Sequence, residues 1–313
     1  MNPDILITAI APVMLILGLG FAAGKHREFD ADQTAGFSRL ALQYALPATL
    51  FLGMAHLDRR LLLQQAPIAL VMLAGYSGFF LVAYAALRWK RMDRLRATLL
   101  SYTVSSTAVP IYGVTVLTPI FGQSDGIGIV GLAALVTNLT QVSVAIFLLQ
   151  SAMPAADAHP SVSQTVWRSV RNPLVWAPAS GALLSLTGFR LSALITAALH
   201  PLAVAAAGVA IFASGLALAA YPMKLTSKVV VLASAACVVL QPAAFFVLLK
   251  AGGLSSGMGK AAFVASAMPT ATPSVLFAQQ YRILEAETAT IMLITTVLLL
   301  VSLPVCVALS IFL

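Results

Sequence analysis

Charge is what this sequence has least of. Only 9% of its 313 residues are Asp, Glu, Lys or Arg, against 60% hydrophobic, and the mean hydropathy is +0.96. A soluble domain carries about 25% charge, so composition excludes both a soluble core and a nucleic-acid-binding surface. Cysteine is nearly missing too. Cys237 and Cys306 both lie in apolar runs, which reads as core packing and excludes a disulfide framework or a thiolate metal site. The acidic residues are ten: Asp4, Glu28, Asp30, Asp32, Asp58, Asp93, Asp125, Asp157, Glu285 and Glu287. All fall in loops or at helix ends on the reading below. A proton- or sodium-driven carrier ordinarily keeps a carboxylate in the membrane, at a cost of at least about 2.5 kcal/mol. None is placed there here. An intramembrane enzyme would need a metal or nucleophile constellation, and none is read; a sensor or scaffold without transport is the other rival class.

What is present is a series of apolar runs. They fall near 3–24, 37–56, 65–87, 97–121 and 126–152, then near 173–188, 192–220, 229–249, 260–281 and 289–313. A membrane helix needs roughly 20 apolar residues, so the chain is read as an all-α membrane protein of ten transmembrane helices. The basic cluster Lys25, His26 and Arg27 follows the first run, whereas a secretory signal carries its charge before it; the first helix is read as retained. Residues 153–171 form the longest polar stretch and are read as a cytoplasmic linker between a first five-helix repeat, 1–152, and a second, 172–313. Within it, residues 162–167 suit either a short interfacial helix with Trp167 at the headgroups or a plain loop.

The net charge of +8 would suggest an anionic partner in a soluble protein. Ten spans give it another meaning. The loops after spans one, three, five, seven and nine, with the adjoining span ends, hold 13 of the 18 Lys and Arg. Positive residues concentrate in cytoplasmic loops, so the expectation is a bacterial inner-membrane protein with both termini outside. Five helices starting outside and five starting inside make an inverted repeat, the arrangement that secondary transporters favour.

One pair of segments carries the chemistry. The fourth span contains Ser105-Ser106-Thr107-Ala108-Val109-Pro110-Ile111-Tyr112-Gly113, and the ninth contains Ser266-Ala267-Met268-Pro269-Thr270-Ala271-Thr272-Pro273. Setting Pro110 on Pro269 places Thr107 on Ser266. Proline inside a helix removes a backbone hydrogen bond, and in lipid the freed carbonyls need protein or water partners. A lone proline is ordinarily a kink. Two matched breaks in two halves point to a binding site at the midplane, where two half-helix N-termini, each worth roughly half a positive charge, would face an anion. Ser105, Ser106, Thr107, Thr270 and Thr272 would add hydroxyl donors, and removal of Pro110 is expected to let the helix re-form. His200, beside Pro201, is the titratable candidate within a span, with outer-end packing as its alternative. Ala203, Ala207, Gly208, Gly215 and Ala219 offer a small-residue surface suited to a homodimer, with packing inside the chain as the other reading and Gly20-x-x-x-Gly24 as a competing face.

Leu46-Pro47-Ala48-Thr49-Leu50-Phe51, the Val109-Pro110 break running to Phe121-Gly122, and Met268-Pro269 through Ala278-Gln279-Gln280-Tyr281 resemble the auxin efflux carrier family over nearly the whole chain. Its bacterial members are commonly labelled malonate or other organic-acid permeases. Its fold is similar to that of bile-acid sodium symporters. The resemblance implies broken helices four and nine that cross beside the substrate, a scaffold of spans one, two, six and seven, and a transport unit of three to five and eight to ten. Many members carry Asn near the fourth-span break, where this chain has Ser105, Ser106 and Ile111. Asn138, Gln141, Gln43 and Tyr44 are then candidate carboxylate contacts, each with an interhelical hydrogen bond as its alternative. The expected activity is transport of a small organic anion such as malonate, with no cofactor. Importing a dianion against an inside-negative potential costs roughly 4.6 kcal/mol per 100 mV, so Na⁺ or H⁺ is the expected coupling ion for uptake. Sodium-dependent uptake would favour the bile-acid-symporter alternative.

Overall fold

The computed structural model describes residues 3–56, 59, 66–152, 167, 171, 173–189, 191–220 and 224–313. Most of the 153–171 linker, including 162–166, lies outside them. Among the described residues the secondary structure is helical, apart from one isolated β-bridge between Thr107 and Thr270. Helix α1 is Pro3–Lys25. Helix α2 runs through Ala31–Leu40, a π-helical turn at Ala41–Ala45, and Leu46–Ala55. Helices α3 (Ala66–Trp89), α4 (Arg94–Ser105) and α5 (Val109–Phe121) follow, then α6 (Gln123–Ser151) with a π-turn at Thr137–Val142. Helices α7 (Pro173–Thr187), α8 (Ala193–Ala219) and α9 (Lys228–Ala251, π-turn at Ala236–Leu240) come next. Helices α10 (Gly257–Ser266), α11 (Pro273–Tyr281) and α12 (Glu285–Leu309) complete the chain.

Five of these helices, α3, α6, α8, α9 and α12, are long and apolar enough to cross a bilayer, and several shorter ones are strongly apolar. Their surfaces agree. Leu81, Val82, Leu194, Val204, Leu232, Val247 and Val301 are exposed on helix flanks, an arrangement suited to lipid rather than water. The interior carries Thr98, Ser101, Thr103, Thr295 and Thr296, whose hydroxyls donate to the carbonyl four residues earlier. A hydroxyl folded back on its own helix is satisfied without a partner from outside it. Among the described residues no Asp, Glu, Lys, Arg or His is buried.

Local signals set the helix ends. Asp30 caps α2 reciprocally: its carboxylate accepts from Gln33 N at 2.7 Å, and its own N–H donates to the Gln33 side chain at 2.9 Å, a capping box. Asp93, Ser192 and Ser256 cap α4, α8 and α10 by the side-chain bond alone, accepting from the N–H of Arg96, Ile195 and Gly259. Helices α1 and α8 approach so closely that an added Cβ on Gly20 would stand 2.2 Å from the Phe212 carbonyl oxygen, and one on Gly215 2.3 Å from that of Leu17. The C-terminal part of the small-residue surface, Gly215 and Ala219, is thus buried within the chain, and Gly20 and Gly24 meet it from α1.

Candidate functional site

The two proline-bearing segments interrupt their helices and lie against each other. Helix α4 ends at Ser105, and Ser106 is extended (φ −86°, ψ 134°) before α5 begins at Val109. Helix α10 ends at Ser266 and α11 begins at Pro273. Thr107 and Thr270 form an antiparallel bridge. Ala108 N donates to Pro269 O at 2.7 Å and Ala271 N to Ser106 O at 3.3 Å. The two bonds exchange under a local two-fold that swaps Thr107 with Thr270, and with them 106 with 269 and 108 with 271. The same exchange relates the first-turn bonds Ile111 N to Ala108 O and Ser274 N to Ala271 O. In this local two-fold register Pro110 corresponds to Pro273, four residues beyond the Pro269 of the sequence alignment. Both prolines then occupy the first turn of a half-helix, where the missing N–H had no intrahelical partner. Pro269 contributes its carbonyl.

Buried irregular backbone needs partners, and the neighbouring helices provide them. The Ser105 carbonyl, freed where α4 ends, accepts from Gln241 Nε2 at 2.8 Å and Gln141 Nε2 at 3.2 Å. Gln141 Nε2 also reaches Tyr76 O at 2.7 Å. Thr107 Oγ1 donates to Tyr76 Oη at 3.2 Å. Thr270 Oγ1 donates to Thr103 O at 3.1 Å, Cys237 Sγ stands 3.4 Å from that hydroxyl, and Thr270 N donates to Thr295 Oγ1 at 3.2 Å. Ser105 Oγ bonds Tyr102 O at 3.4 Å, and Asn138 Nδ2 donates to Ala134 O at 2.8 Å. Ser105, Thr107, Thr270, Asn138 and Gln141 therefore each make a hydrogen bond within the protein.

Among the described residues seven buried side-chain polar atoms have no hydrogen-bond partner. Four of them, Ser106 Oγ, Tyr112 Oη, Thr272 Oγ1 and Gln141 Oε1, lie at or beside the breaks, and the others are on Gln150, Ser234 and Ser302. Tyr102 stands near Ser106, and Thr296 and Ser214 near Tyr112, without completing bonds of ordinary geometry. An unpaired buried hydroxyl costs about 1–3 kcal/mol, so these atoms need an explanation. Three of them are hydroxyl donors on the paired breaks.

A cavity of about 420 Å³ reaches the break between α2 and the ends of α8 and α11; Asp30, Ser38, Arg39, Gln43 and Thr272 line it. Tyr44 points elsewhere: it is 58% exposed and lines an apolar groove with Pro173 and Trp176. A larger cavity of about 660 Å³ opens beside the far end of α2, lined by His56, His200, Thr49, Thr196 and Ser124 among others. The His56 ring bonds Leu52 O through Nδ1 at 2.7 Å.

Sequence reasoning missed Gln241, Tyr76, Thr103, Cys237 and Thr295, all of which hold the breaks in place. Gln241 had a visible signal, a lone amide in an apolar run. The others are ordinary span residues whose role depends on which helix stands opposite. The π-turns of α2, α6 and α9 carry Gln43 and Tyr44, Asn138 and Gln141, and Cys237; such turns are frequent at functional sites. Two Gly-x-Ser-x-Gly strings occur, Gly122 to Gly126 and Gly253 to Gly257. Each leads into a helix from another helix or turn, not from the strand that a nucleophile elbow requires.

The family described as "Membrane transport protein" matches residues 5–307. The chain is 27% identical over 276 residues to the protein named "Uncharacterized transporter YfdV" of Escherichia coli K12, covering 88% of each chain, and equally similar to its counterparts in Escherichia coli O157:H7 and Shigella flexneri. With the match running over nearly its whole length, this chain belongs to the membrane transport protein family, that of the auxin efflux carriers.

Proposed function

We propose that this protein is a secondary transporter of a small organic carboxylate such as malonate, working by alternating access around the paired breaks. In this reading α4 with α5, and α10 with α11, are the crossing fourth and ninth of ten spans. The chain is then a 5+5 inverted repeat (1–152 and 172–313, joined by a cytoplasmic 153–171) in the inner membrane with both termini outside.

The observation that carries it is the set of unpartnered hydroxyls of Ser106, Tyr112 and Thr272 on the two breaks, in an interior without buried charge among the described residues. Neutral donors and half-helix N-termini suit a carboxylate that must be released as well as bound. A buried Arg or Lys would hold it more tightly and would itself be costly at that depth. Inferred coupling is by Na⁺ or H⁺, since a dianion cannot accumulate against the potential unaided.

Purified protein in liposomes, assayed by counterflow of radiolabelled malonate with malate, lactate and indole-acetate as competitors, tests the reading. Saturable counterflow is expected, stimulated by an imposed Na⁺ or pH gradient. Absence of counterflow and competition for all four acids would overturn it. Stimulation by Na⁺ alone would favour a symporter of bile-acid type.

A further inference from the structure

The cavity at the start of α2 contains a cation that the break-centred reading leaves unused. Arg39 lines it together with Gln43 and with Thr272, whose buried hydroxyl has no partner. No carboxylate lies within salt-bridge distance of Arg39 among the described residues, where the ion pairs are Arg96–Asp93 and Lys224–Glu287. The acid in the same cavity, Asp30, is engaged otherwise: its carboxylate accepts from Gln33 N at the N-terminus of α2. Nine residues of helix separate it from Arg39, about 13 Å at 1.5 Å per residue, too far for an ion pair. Arg39 sits one helical turn before Gln43, and Gln43 shares the cavity with Thr272 at the mouth of the α11 break. The cavity thus brings together an exposed guanidinium, an amide one turn along the same helix and, on the facing break, a buried hydroxyl without a partner among the described residues.

We propose that Arg39 is the loading contact for the carboxylate on this face of the protein, the face to which charge asymmetry assigns the cytoplasm, and that Gln43 passes the anion to Thr272. The inference rests on the transport reading above and adds its entry residue and its sidedness. A guanidinium offers a carboxylate two parallel N–H donors, and a volume of about 420 Å³ admits small mono- and dicarboxylates with their first waters. Because Arg39 is solvent-exposed, its attraction is screened by salt. It raises the local anion concentration without trapping the anion. Among the described residues, the opposite cavity, lined by His56 and His200, has no such cation in its lining, and on this proposal loading from the two faces differs.

The test uses the full chain in right-side-out and inverted membrane vesicles, with radiolabelled malonate as the probe. Arg39→Gln is expected to raise the half-saturating malonate concentration about 3- to 10-fold in the orientation that presents this cavity. The other orientation and both maximal rates should stay unchanged. Arg39→Lys should recover most of the effect, and 0.5 M salt should erase the difference between wild type and Arg39→Gln. Equal half-saturation in wild type and Arg39→Gln, or a matching loss in both orientations with a lower maximal rate, would overturn the inference while leaving transport intact. Wild-type vesicles that carry no malonate and show no competition by the other acids would overturn the transport reading, and this inference with it.

Discussion

Thr270 and Thr272 are two residues apart and have the same side chain, yet the structure gives them opposite roles. Thr270 Oγ1 holds the Thr103 carbonyl, whereas Thr272 Oγ1 is buried and unpaired. Replacing a buried, bonded hydroxyl by a methyl costs about 1–3 kcal/mol of stability, whereas an unpaired one costs little to remove. Thr270→Val should therefore lower the melting temperature in detergent. Thr272→Val should leave it no lower, or raise it, and weaken malonate binding by about 5- to 150-fold, the equivalent of 1–3 kcal/mol. Paired melting and binding measurements check both, and a Thr272→Val protein of wild-type affinity would remove Thr272 from the site. Gln241 and Gln141 share one acceptor, the Ser105 carbonyl. Either truncation to Leu leaves that carbonyl one partner; the double variant leaves it none. A double-mutant cycle by thermal denaturation should show a loss exceeding the sum of the singles by about 1 kcal/mol or more.

Pro110 looked like the cause of the first break when read as a helix-interior proline. At the level of the element it is not. It occupies the first turn of α5, where a proline removes nothing the helix needs. The break is held by the extended Ser106 and by the two exchanged backbone bonds of the bridge. Pro110→Ala is accordingly expected to keep transport within about 3-fold of wild type, because the N–H it restores has no intrahelical acceptor. Ala108→Pro is the informative change. Its φ of −79° suits proline, so the variant removes the N–H that donates to Pro269 O and little else. Transport assays should show a much larger loss for Ala108→Pro than for Pro110→Ala. The reverse order would return the break to Pro110.

At the scale of the whole molecule, the charge split makes a prediction that the fold alone does not. Both termini should be outside, because 13 of the 18 basic residues lie toward the other face. Alkaline phosphatase fused after Leu313 should be active and a fluorescent protein at the same point dark. The opposite pattern would invert the topology and move the Arg39 cavity to the outer face. Assembly depends on which surfaces remain free. With Gly215 and Ala219 buried against α1, the expected homodimer would have to use Ala203, Ala207 and Gly208 or another surface altogether; the mass in lipid nanodiscs reports it.

The sequence by itself determined the membrane class, the helices, the segments that break and the hydroxyls that populate them. Those properties come from composition, local apolar runs and residue types that sit uneasily inside a helix, all of which act over a few residues. Tertiary structure decided the register of the breaks, which hydroxyls are free, and which side chains hold the freed carbonyls. Thr270 and Thr272 cannot be told apart in a string, because satisfaction depends on whether Thr103, 167 positions away for Thr270, stands opposite. Arg39 entered the sequence reading as one count in a charge tally. Only the packing of α2 beside α8 and α11 placed it in the lining of a cavity shared with the unpaired Thr272 hydroxyl.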